Sequence, residues 1–472
     1  MRVSSVLSAA LVLFPAAVYA DAIQQSTLED QTAVEVTVYN NNLGLVKDVR
    51  KLDLSSGQGE LRFMDVAASI LPETVHVKSL TKPDALAVLE QNYEYDLMDQ
   101  NKLLNKYIGK EITLIDRNEF QDREKPIKAT LLANNDGPIY RIDGQIYLGH
   151  PGIRVLPELP QDLIARPTLT WLFNNTAKAA HNVEVSYLTN NLNWKADYVL
   201  EVNADDTAAD LSGWVTVDNR SGAAYRNAKL KLIAGQVNRA EEERPMFARK
   251  MAMAGAEMSM DTAFAEQAFF EYHIYDLQRS TTLKDNQTKQ ISLLQAAGIG
   301  VEKELVVEGE PYYFYQSFGD QDLKQPVQVK IKFKNAKDNQ LGMPLPAGIM
   351  RLYKKDGSGS LQFIGEDRIA HTPKDEEVRL KIGEAFDVTA ERKQTDFRQV
   401  TSRIFETEWE ITLKNHKEND VVVKVIEPMQ GDWQVLKSSL PHQKIEAFKI
   451  RFDVPVKKDE EGKVTYRVRV ET

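Results

Sequence analysis

The sequence contains no cysteine. A chain without cysteine forms no disulfides and has no thiolate metal ligand, no cysteine nucleophile and no cysteine to carry a lipoprotein anchor. Its stability must therefore come from buried apolar area. With 472 residues, the chain is too long for a single hydrophobic core. That length predicts roughly two to four domains.

Long apolar runs are also missing after the first 20 residues, and the best later run, Val421–Ile426, has the length of a strand. The N-terminus differs, because Arg2 precedes the apolar stretch Val6–Phe14 and small residues up to Ala20. This layout is typical of a secretory signal peptide cleaved after Ala20. We therefore expect an exported, periplasmic chain that begins near Asp21 and has no membrane span after processing.

Basic residues are outnumbered by acidic ones, and the formal net charge is −10. An acidic surface argues against nucleic acid and anionic lipid as partners. The expected partner is another cell-envelope protein or a glycan. The sequence does not define an oligomeric state.

The dominant pattern is the alternation of apolar and polar residues. It is clear in Val34–Val38, Val327–Phe333, Trp409–Leu413, Phe448–Val454 and Val464–Val470. Period-two alternation places one strand face on a core and the other in water, which is typical of antiparallel sheets. We therefore predict an all-β chain of several antiparallel, immunoglobulin-like β-sandwiches with little helix.

One region departs from the sandwich pattern. A helix is predicted over Asn92–Tyr107, with Gly109 as its stop signal. Five short strands follow between Glu111 and Leu156, and Asp-Gly pairs mark two of the hairpin turns. This arrangement resembles a small Sm-like or SH3-like barrel.

The predicted organisation has seven segments. They are a signal peptide (1–20), an N-terminal β domain (21–90), a short helix with the Sm/SH3-like barrel (91–165), a first sandwich part (166–239), a Met/Ala-rich flexible linker (240–268), a second sandwich part (269–395) and a C-terminal immunoglobulin-like module (396–472).

Several strands lead into a turn that contains asparagine. The asparagines are Asn175, Asn219, Asn335 and Asn415, and each lies close to the end of an alternating segment. Asparagine tolerates positive φ, which turns often require. The pattern therefore predicts repeated hairpins with asparagine as a turn residue.

Two Met-x-Met steps stand out in the Met/Ala-rich segment, Met251–Met253 and Met258–Met260. Thioethers are soft ligands that suit Cu(I), so copper handling is one interpretation. The other is a low-complexity linker without a ligand.

The chain offers no recognisable catalytic motif. It has no Gly-x-Ser-x-Gly elbow and no phosphate-binding loop, and Gly357–Ser360 reads as a hairpin tip. The acidic runs Glu241–Glu243, Asp375–Glu377 and Asp459–Glu461 are expected in solvated loops. The seven histidines are widely spaced: His76, His150, His181, His273, His371, His416 and His442. We therefore predict no catalytic, cofactor-binding or metal-ligating residue and no cofactor.

An aromatic run, Pro311–Tyr315, is predicted to lie on a strand. Exposed rings on one face would stack on a sugar, whereas buried rings would pack in a core. Trp194 and Tyr198 have the even spacing of residues on one strand face, and we expect them to anchor a sandwich core.

The stretch Tyr187–Tyr198 resembles the signature of the bacterial family called domain of unknown function 4139, or mucoidy inhibitor A-like. The segments Leu211–Asn219, Leu345–Gly348 and Glu408–Ile411 resemble it too. The resemblance extends from about residue 166 to the C-terminus, and the N-terminal region looks like the companion β domain of that group. It implies a β fold but no activity, so no functional residue is carried over.

These observations favour an exported cell-envelope protein of unknown activity that binds or scaffolds without catalysis. Two alternatives are open. One is an envelope hydrolase acting on carbohydrate or peptide, and the other is copper handling through the Met-rich segment.

Overall fold

The computed structural model describes residues 23–94, 99–118, 123–158, 166–177, 180–235, 237–238, 264–269 and 272–471. Strands dominate these residues, which confirms the predicted all-β class. The predicted signal peptide lies outside the described residues, as do residues 240–263 of the predicted linker.

The first half of the described chain contains sixteen strands. In chain order they are β1 (Gln24–Ser26), β2 (Gln31–Tyr39), β3 (Leu43–Leu52), β4 (Gly57–Met64), β5 (His76–Ser79), β6 (Leu86–Glu94), β7 (Glu111–Asn118), β8 (Arg123–Ala133), β9 (Ile139–Ile142), β10 (Gln145–Leu148), β11 (Ile153–Val155), β12 (Thr168–Asn175), β13 (His181–Asn190), β14 (Leu192–Val202), β15 (Ala208–Asn219) and β16 (Tyr225–Ala234).

The second half contains seventeen more. They are β17 (Phe264–Phe269), β18 (Tyr272–Leu277), β19 (Thr281–Leu283), β20 (Gln287–Gly300), β21 (Glu302–Glu308), β22 (Asp322–Gln325), β23 (Gln328–Lys334), β24 (Gly348–Lys355), β25 (Leu361–Ile369), β26 (Glu377–Glu384), β27 (Val388–Gln399), β28 (Ile404–Asn415), β29 (Val421–Pro428), β30 (Asp432–Ser438), β31 (His442–Glu446), β32 (Lys449–Val456) and β33 (Glu461–Glu471).

Helix is scarce in the described chain. It consists of one α-helix, α1 (Gln100–Lys106), and short 3-10 turns at Leu28–Asp30, Pro72–Thr74, Pro311–Phe314 and Lys337–Asn339. None of the described helices has the length and apolar character that crossing a bilayer requires.

The strands form six sheets. Sheet 1 has the order β1-β4-β12-β6, and sheet 2 has the order β17-β18-β16-β2-β3-β13-β5, with β19 also paired to β16. Sheet 3 is β20-β15-β14-β24-β25, sheet 4 is β26-β23-β21-β29-β32-β31, and sheet 5 is β22-β27-β28-β33-β30. The small sheet is β10-β9-β8-β7-β11. Most neighbours are antiparallel, but β1–β4, β2–β16, β14–β24 and β21–β29 are parallel.

Sheet 2 joins segments that are far apart in the chain. Strands β2, β3 and β5 come from the predicted N-terminal domain, and β13 and β16 come from the first sandwich part. Strand β17 begins at Phe264, inside the segment predicted as a linker. The seven segment boundaries remain a prediction, but these pairings show that sheet 2 draws on several of them.

The predicted helix Asn92–Tyr107 is wrong in its first part. Residues up to Glu94 belong to β6 and pair with β12, so strand pairing outweighs the helical periodicity there. The helix begins at Gln100, after the N-cap Asp99 accepts hydrogen bonds from two backbone N–H groups. The five strands predicted after it are all present as β7–β11. The predicted Sm/SH3-like barrel is not closed in the described residues, because the outer strands β10 and β11 do not pair with each other and the strands form an open sheet.

Three hydrophobic cores organise the described residues. The first core runs in sequence from Val34 to Leu380 and draws on sheets 1, 2 and 3 and part of sheet 4. The second core lies between sheets 4 and 5 and runs from Leu305 to Val470. The third, much smaller, packs α1 on the small sheet. Trp194 and Tyr198 are buried in the first core, as predicted.

The repeated asparagines have a different role from the one expected. Asn175, Asn219, Asn335 and Asn415 are all buried, and none has positive φ. Each side-chain NH₂ donates to two or three backbone carbonyls, and each side-chain oxygen accepts a backbone N–H. The amide suits this task because it both donates and accepts. These residues therefore satisfy buried backbone at strand ends and do not act as left-handed turn residues.

A buried arginine joins β1 to β3 at the margin of the first core. Arg50 donates to Asp48 at 2.8 Å through Nη2, and to the carbonyl of Ser26 at 3.1 Å through Nη1. Its guanidinium lies 3.6 Å from the ring centroid of Phe63. Asp48 also accepts a hydrogen bond from Gln31. The charge is thus paired, stacked and hydrogen-bonded, as burial requires.

A second buried arginine crosses the second core. Arg392 on β27 donates to Glu427 on β29 at 2.6 Å, and to the hydroxyl of Tyr466 at 3.1 Å. Both side chains of the ion pair are fully buried. Because β27 belongs to sheet 5 and β29 to sheet 4, the pair joins the two sheets. An added Cβ at Gly309 would collide with Glu427 Oε2, so a larger residue there would displace the buried carboxylate.

Candidate functional site

The Met-x-Met steps at Met251–Met253 and Met258–Met260 lie outside the described residues. The described part of the chain contains no group of three or more His, Asp or Glu side chains placed to hold a metal ion.

Two of the histidines come close together across the fold. His371 lies near enough to His273 for their charges to interact, and burial together with this charge lowers the pKa of His371. Its Nδ1 accepts the backbone N–H of Ala347 at 3.2 Å. Sequence spacing gave no sign of this pair, because His273 lies on β18 and His371 follows β25.

Ser79 and His181 form a pair that the sequence analysis missed. Ser79 Oγ lies 2.9 Å from His181 Nδ1, within the range of a nucleophile and its base. Both side chains are buried, and Ser79 Oγ also accepts the backbone N–H of Lys82. His181 Nε2 has no hydrogen-bond partner among the described residues, whereas a triad base is oriented by a third group. This pair joins β5 to β13 by a buried hydrogen bond.

The aromatic run does not form the predicted strand. Pro311–Phe314 is a 3-10 helix, which suits proline in its first turn. Tyr313 and Phe314 are buried, and the ring of Tyr313 lies 5.3 Å from that of Trp409. Burial and the hydrogen bond with Tyr312 raise the pKa of Tyr313 to about 12. Only Tyr312 of this helix is exposed, whereas Tyr313 and Phe314 pack in the second core.

Gly357–Ser360 forms the tip of the β24–β25 hairpin, as predicted. Asp356 organises it by accepting hydrogen bonds from the backbone and hydroxyl of Ser358 and from the backbone of Ser360. Hydrogen bonds from Ser358 and Gln362 lower the pKa of Asp356 to about 2. The serines here stabilise a turn.

The acidic runs are placed in two ways. Glu241–Glu243 lies outside the described residues. In each of the other two runs the first two residues lie in a connection, as expected, but the third begins a strand. Glu377 begins β26 and pairs with Arg379, and Glu461 begins β33 and pairs with Lys414.

Two short strands of the small sheet, β10 and β11, expose large apolar side chains. Ile146 and Leu148 on β10 are 65% and 85% exposed, and Ile153 on β11 is 60% exposed. Among the described strands, β10 and β11 are the two outer strands of this sheet, and each has one free edge there. We call the side chains of Ile146, Leu148, Ile153 and Val155 the apolar edge surface.

Strand register explains why these side chains face outward. Tyr147 pairs with Tyr140, which is buried in the third core. Ile146 and Leu148 alternate with Tyr147, so they lie on the face opposite that core. On β11, Arg154 pairs with the buried Leu114, and its Nε donates to the hydroxyl of Tyr140. Ile153 and Val155 consequently share the outer face.

The β10 edge also lacks the protection found at other edges. Outer strands of a sheet usually carry charges that prevent pairing with another chain. The other outer strands, apart from the three-residue β1 and β19, all contain charged residues; they are β5, β6, β11, β17, β20, β22, β25, β26, β30 and β31. Strand β10 reads Gln-Ile-Tyr-Leu, and all four residues are exposed. It is therefore an uncharged, open strand edge.

Comparison with known proteins places the chain in a family. A family model described as a domain of unknown function (DUF4139) matches residues 183–472. A search of curated proteins found no match. The matched residues include strands from sheets 2 to 5 and all of the second core. Because the match covers more than half of the sequence, this protein belongs to the DUF4139 family.

Proposed function

We propose that this protein is an exported, non-catalytic binding or scaffolding protein of the cell envelope. The observation that carries the proposal is the apolar edge surface, which presents aliphatic side chains at both free edges of the small sheet. Free strand edges bind extended segments of other proteins by strand addition, with main-chain hydrogen bonds and alternate side chains supplying affinity and specificity. The signal-peptide pattern before Asp21 supports export.

Site-specific photocrosslinking tests the binding role. A photoreactive residue replaces Leu148 in intact cells, and the same residue at Phe386, which is 94% exposed, is the matched control. We expect discrete adducts with an envelope component at position 148 and few at position 386. Equal labelling at the two positions, or no adduct at 148, would contradict the proposal.

Fractionation tests the location separately. The protein is isolated from the periplasmic fraction, and its N-terminus is sequenced. We expect a chain that begins at Asp21. Recovery of an intact chain starting at Met1 in the cytoplasm would contradict export. It would not decide the binding role, which the crosslinking experiment tests separately.

A further inference from the structure

The free edge of β10 has a defined pattern of hydrogen-bonding groups. Asp143 and Gly144 both have positive φ and form the two-residue turn that joins β9 to β10. In such a hairpin the flanking pair, Ile142 and Gln145, is hydrogen-bonded. The groups of Gln145 therefore point towards β9, and by alternation those of Tyr147 do too.

The same alternation directs the N–H and C=O groups of Ile146 and Leu148 away from β9, towards the open edge. The next residue provides a check, since Gly149 N–H donates to the carbonyl of Pro138 at 2.9 Å and so points inward again. Outside the strand ladders, no hydrogen bond between described residues reaches the main chain of Ile146 or Leu148. Four main-chain groups thus face outward from two residues.

This pattern is complementary to itself. If two copies of β10 lie antiparallel with Tyr147 opposite Tyr147 of the other copy, Ile146 of each faces Leu148 of the other. Both of these pairs are then hydrogen-bonded, with two bonds each, and the tyrosines form the intervening non-hydrogen-bonded pair. We infer that a second copy of this chain occupies the β10 edge in this two-fold register.

The side chains favour the same occupant. Residues directly opposite in an antiparallel pair lie on one face, so Ile146 and Leu148 of both copies form a single aliphatic cluster. A two-fold contact is also closed, because each edge is used once and no filament grows.

Electrostatic repulsion does not oppose this pairing. The whole chain is acidic, but residues 99–158 contain equal numbers of acidic and basic residues. Strand β10 itself has no charge to repel its copy. The inference rests on the proposed interaction surface and names its occupant.

The absence of cysteine gives a direct test of the register. A Tyr147→Cys chain has a single thiol, so any disulfide joins two chains. Opposite residues of a non-hydrogen-bonded pair have Cα atoms about 4.5 Å apart, within the range of a disulfide. We expect the purified variant to form a disulfide-linked dimer under mild oxidation at least tenfold faster than Phe386→Cys. Equal rates for the two variants would overturn the inference.

A second measurement does not depend on disulfide chemistry. Sedimentation velocity of the purified chain is expected to show a dimer that dissociates at lower concentration. Leu148→Lys would place charge in the aliphatic cluster and shift the chain to monomer, and Phe386→Lys would not. A monomer in the unmodified chain, or a dimer unaffected by Leu148→Lys, would overturn the inference.

The photocrosslinking experiment separates this inference from the proposed function. Adducts at position 148 that contain two copies of this chain support the inference. Adducts only with a different envelope protein, together with a monomeric purified chain, overturn the inference and leave the binding role standing.

Discussion

The two large cores each contain a buried arginine, but the two arginines are held differently. Arg50 pairs with Asp48, two residues away on the same strand, and every hydrogen-bonding oxygen of that carboxylate has a partner. Arg392 pairs with Glu427 on another sheet, and Glu427 Oε2 has no hydrogen-bond partner in the described chain. Burial raises the pKa of Glu427, and the charge of Arg392 opposes this effect.

The difference indicates two uses of a buried charge. The Arg50 pair is local and ties the short strand β1 to β3 through Ser26. The Arg392 pair joins sheets 4 and 5, with the guanidinium beside the rings of both Tyr313 and Trp409. Removing one partner of a fully buried pair leaves an uncompensated charge, so the second pair should be the more sensitive.

The largest expected effect is that of Glu427→Gln. This change leaves Arg392 buried without its counter-charge and should lower the free energy of unfolding by about 3–5 kcal/mol. Urea denaturation followed by tryptophan fluorescence measures it, with the exposed Glu418→Gln as control. Replacing both Arg392 and Glu427 by methionine should restore most of the loss. A single-variant loss below about 1 kcal/mol would show that the pair contributes little.

The matched change in the first core is Asp48→Asn. Both arginines keep other polar and ring contacts, but the Asp48 side chain is 6% exposed whereas that of Glu427 is fully buried. The loss should therefore be smaller, about 2–3 kcal/mol. The same denaturation measurement applies. A loss equal to or larger than that of Glu427→Gln would reverse the comparison between the two cores.

A smaller effect is expected at the buried asparagines. In Asn415→Asp the side chain loses the NH₂ that donates to the carbonyls of Asn419, Val456 and Lys457. Leaving these groups unsatisfied should cost about 1–3 kcal/mol. Asn219→Asp tests the equivalent position of the first core, and the exposed Asn419→Asp is the control. Similar losses of unfolding free energy in Asn415→Asp and Asn219→Asp would show that both cores depend on a buried asparagine in the same way. The difference between the cores would then lie in their arginines.

The smallest effect concerns the charged face of sheet 4. Burial alone would raise the pKa of Glu304, but hydrogen bonds from Lys424 and Lys332 hold it below its ordinary value of 4.5. A carboxylate with a lowered pKa in the folded state stabilises the fold above its unfolded pKa. That stability is lost as pH falls through the folded pKa. Glu304→Gln should therefore flatten the decline of stability below about pH 4.5 and cost at most about 1 kcal/mol at neutral pH. If the free energy of unfolding of Glu304→Gln fell with decreasing pH as steeply as that of the unmodified chain, the result would contradict this.

Much of the fold could be predicted from local pattern. Alternation located β2, β23, β28 and β33, and the Asp-Gly pairs located two of the hairpins of the small sheet, β8–β9 and β9–β10. Phe448 is an exception, since it is exposed and lies just before β32.

What could not be predicted depends on distant partners. Asp48 and Arg50 occupy the buried face of β3, where alternation leads one to expect apolar residues. Their burial makes sense only once Ser26 and Phe63 are placed beside them. Similarly, the free edge of β10 is a property of sheet order, and no local pattern in Gln145–Leu148 distinguishes an outer strand from an inner one.

The parallel pairing of β2 with β16 has a consequence for folding. A chain made from its N-terminus can form the β2–β3 hairpin early, but residues 225–234 must be present before β2 gains its other neighbour. The first core needs residues as late as Leu380. Contacts between residues so far apart in sequence form slowly. The entropy cost of closing a long loop must be met before the contact contributes any stabilising free energy. Most of the chain must therefore be synthesised before the first core can form. Until then its strand edges are exposed, and aggregation is most expected during that interval.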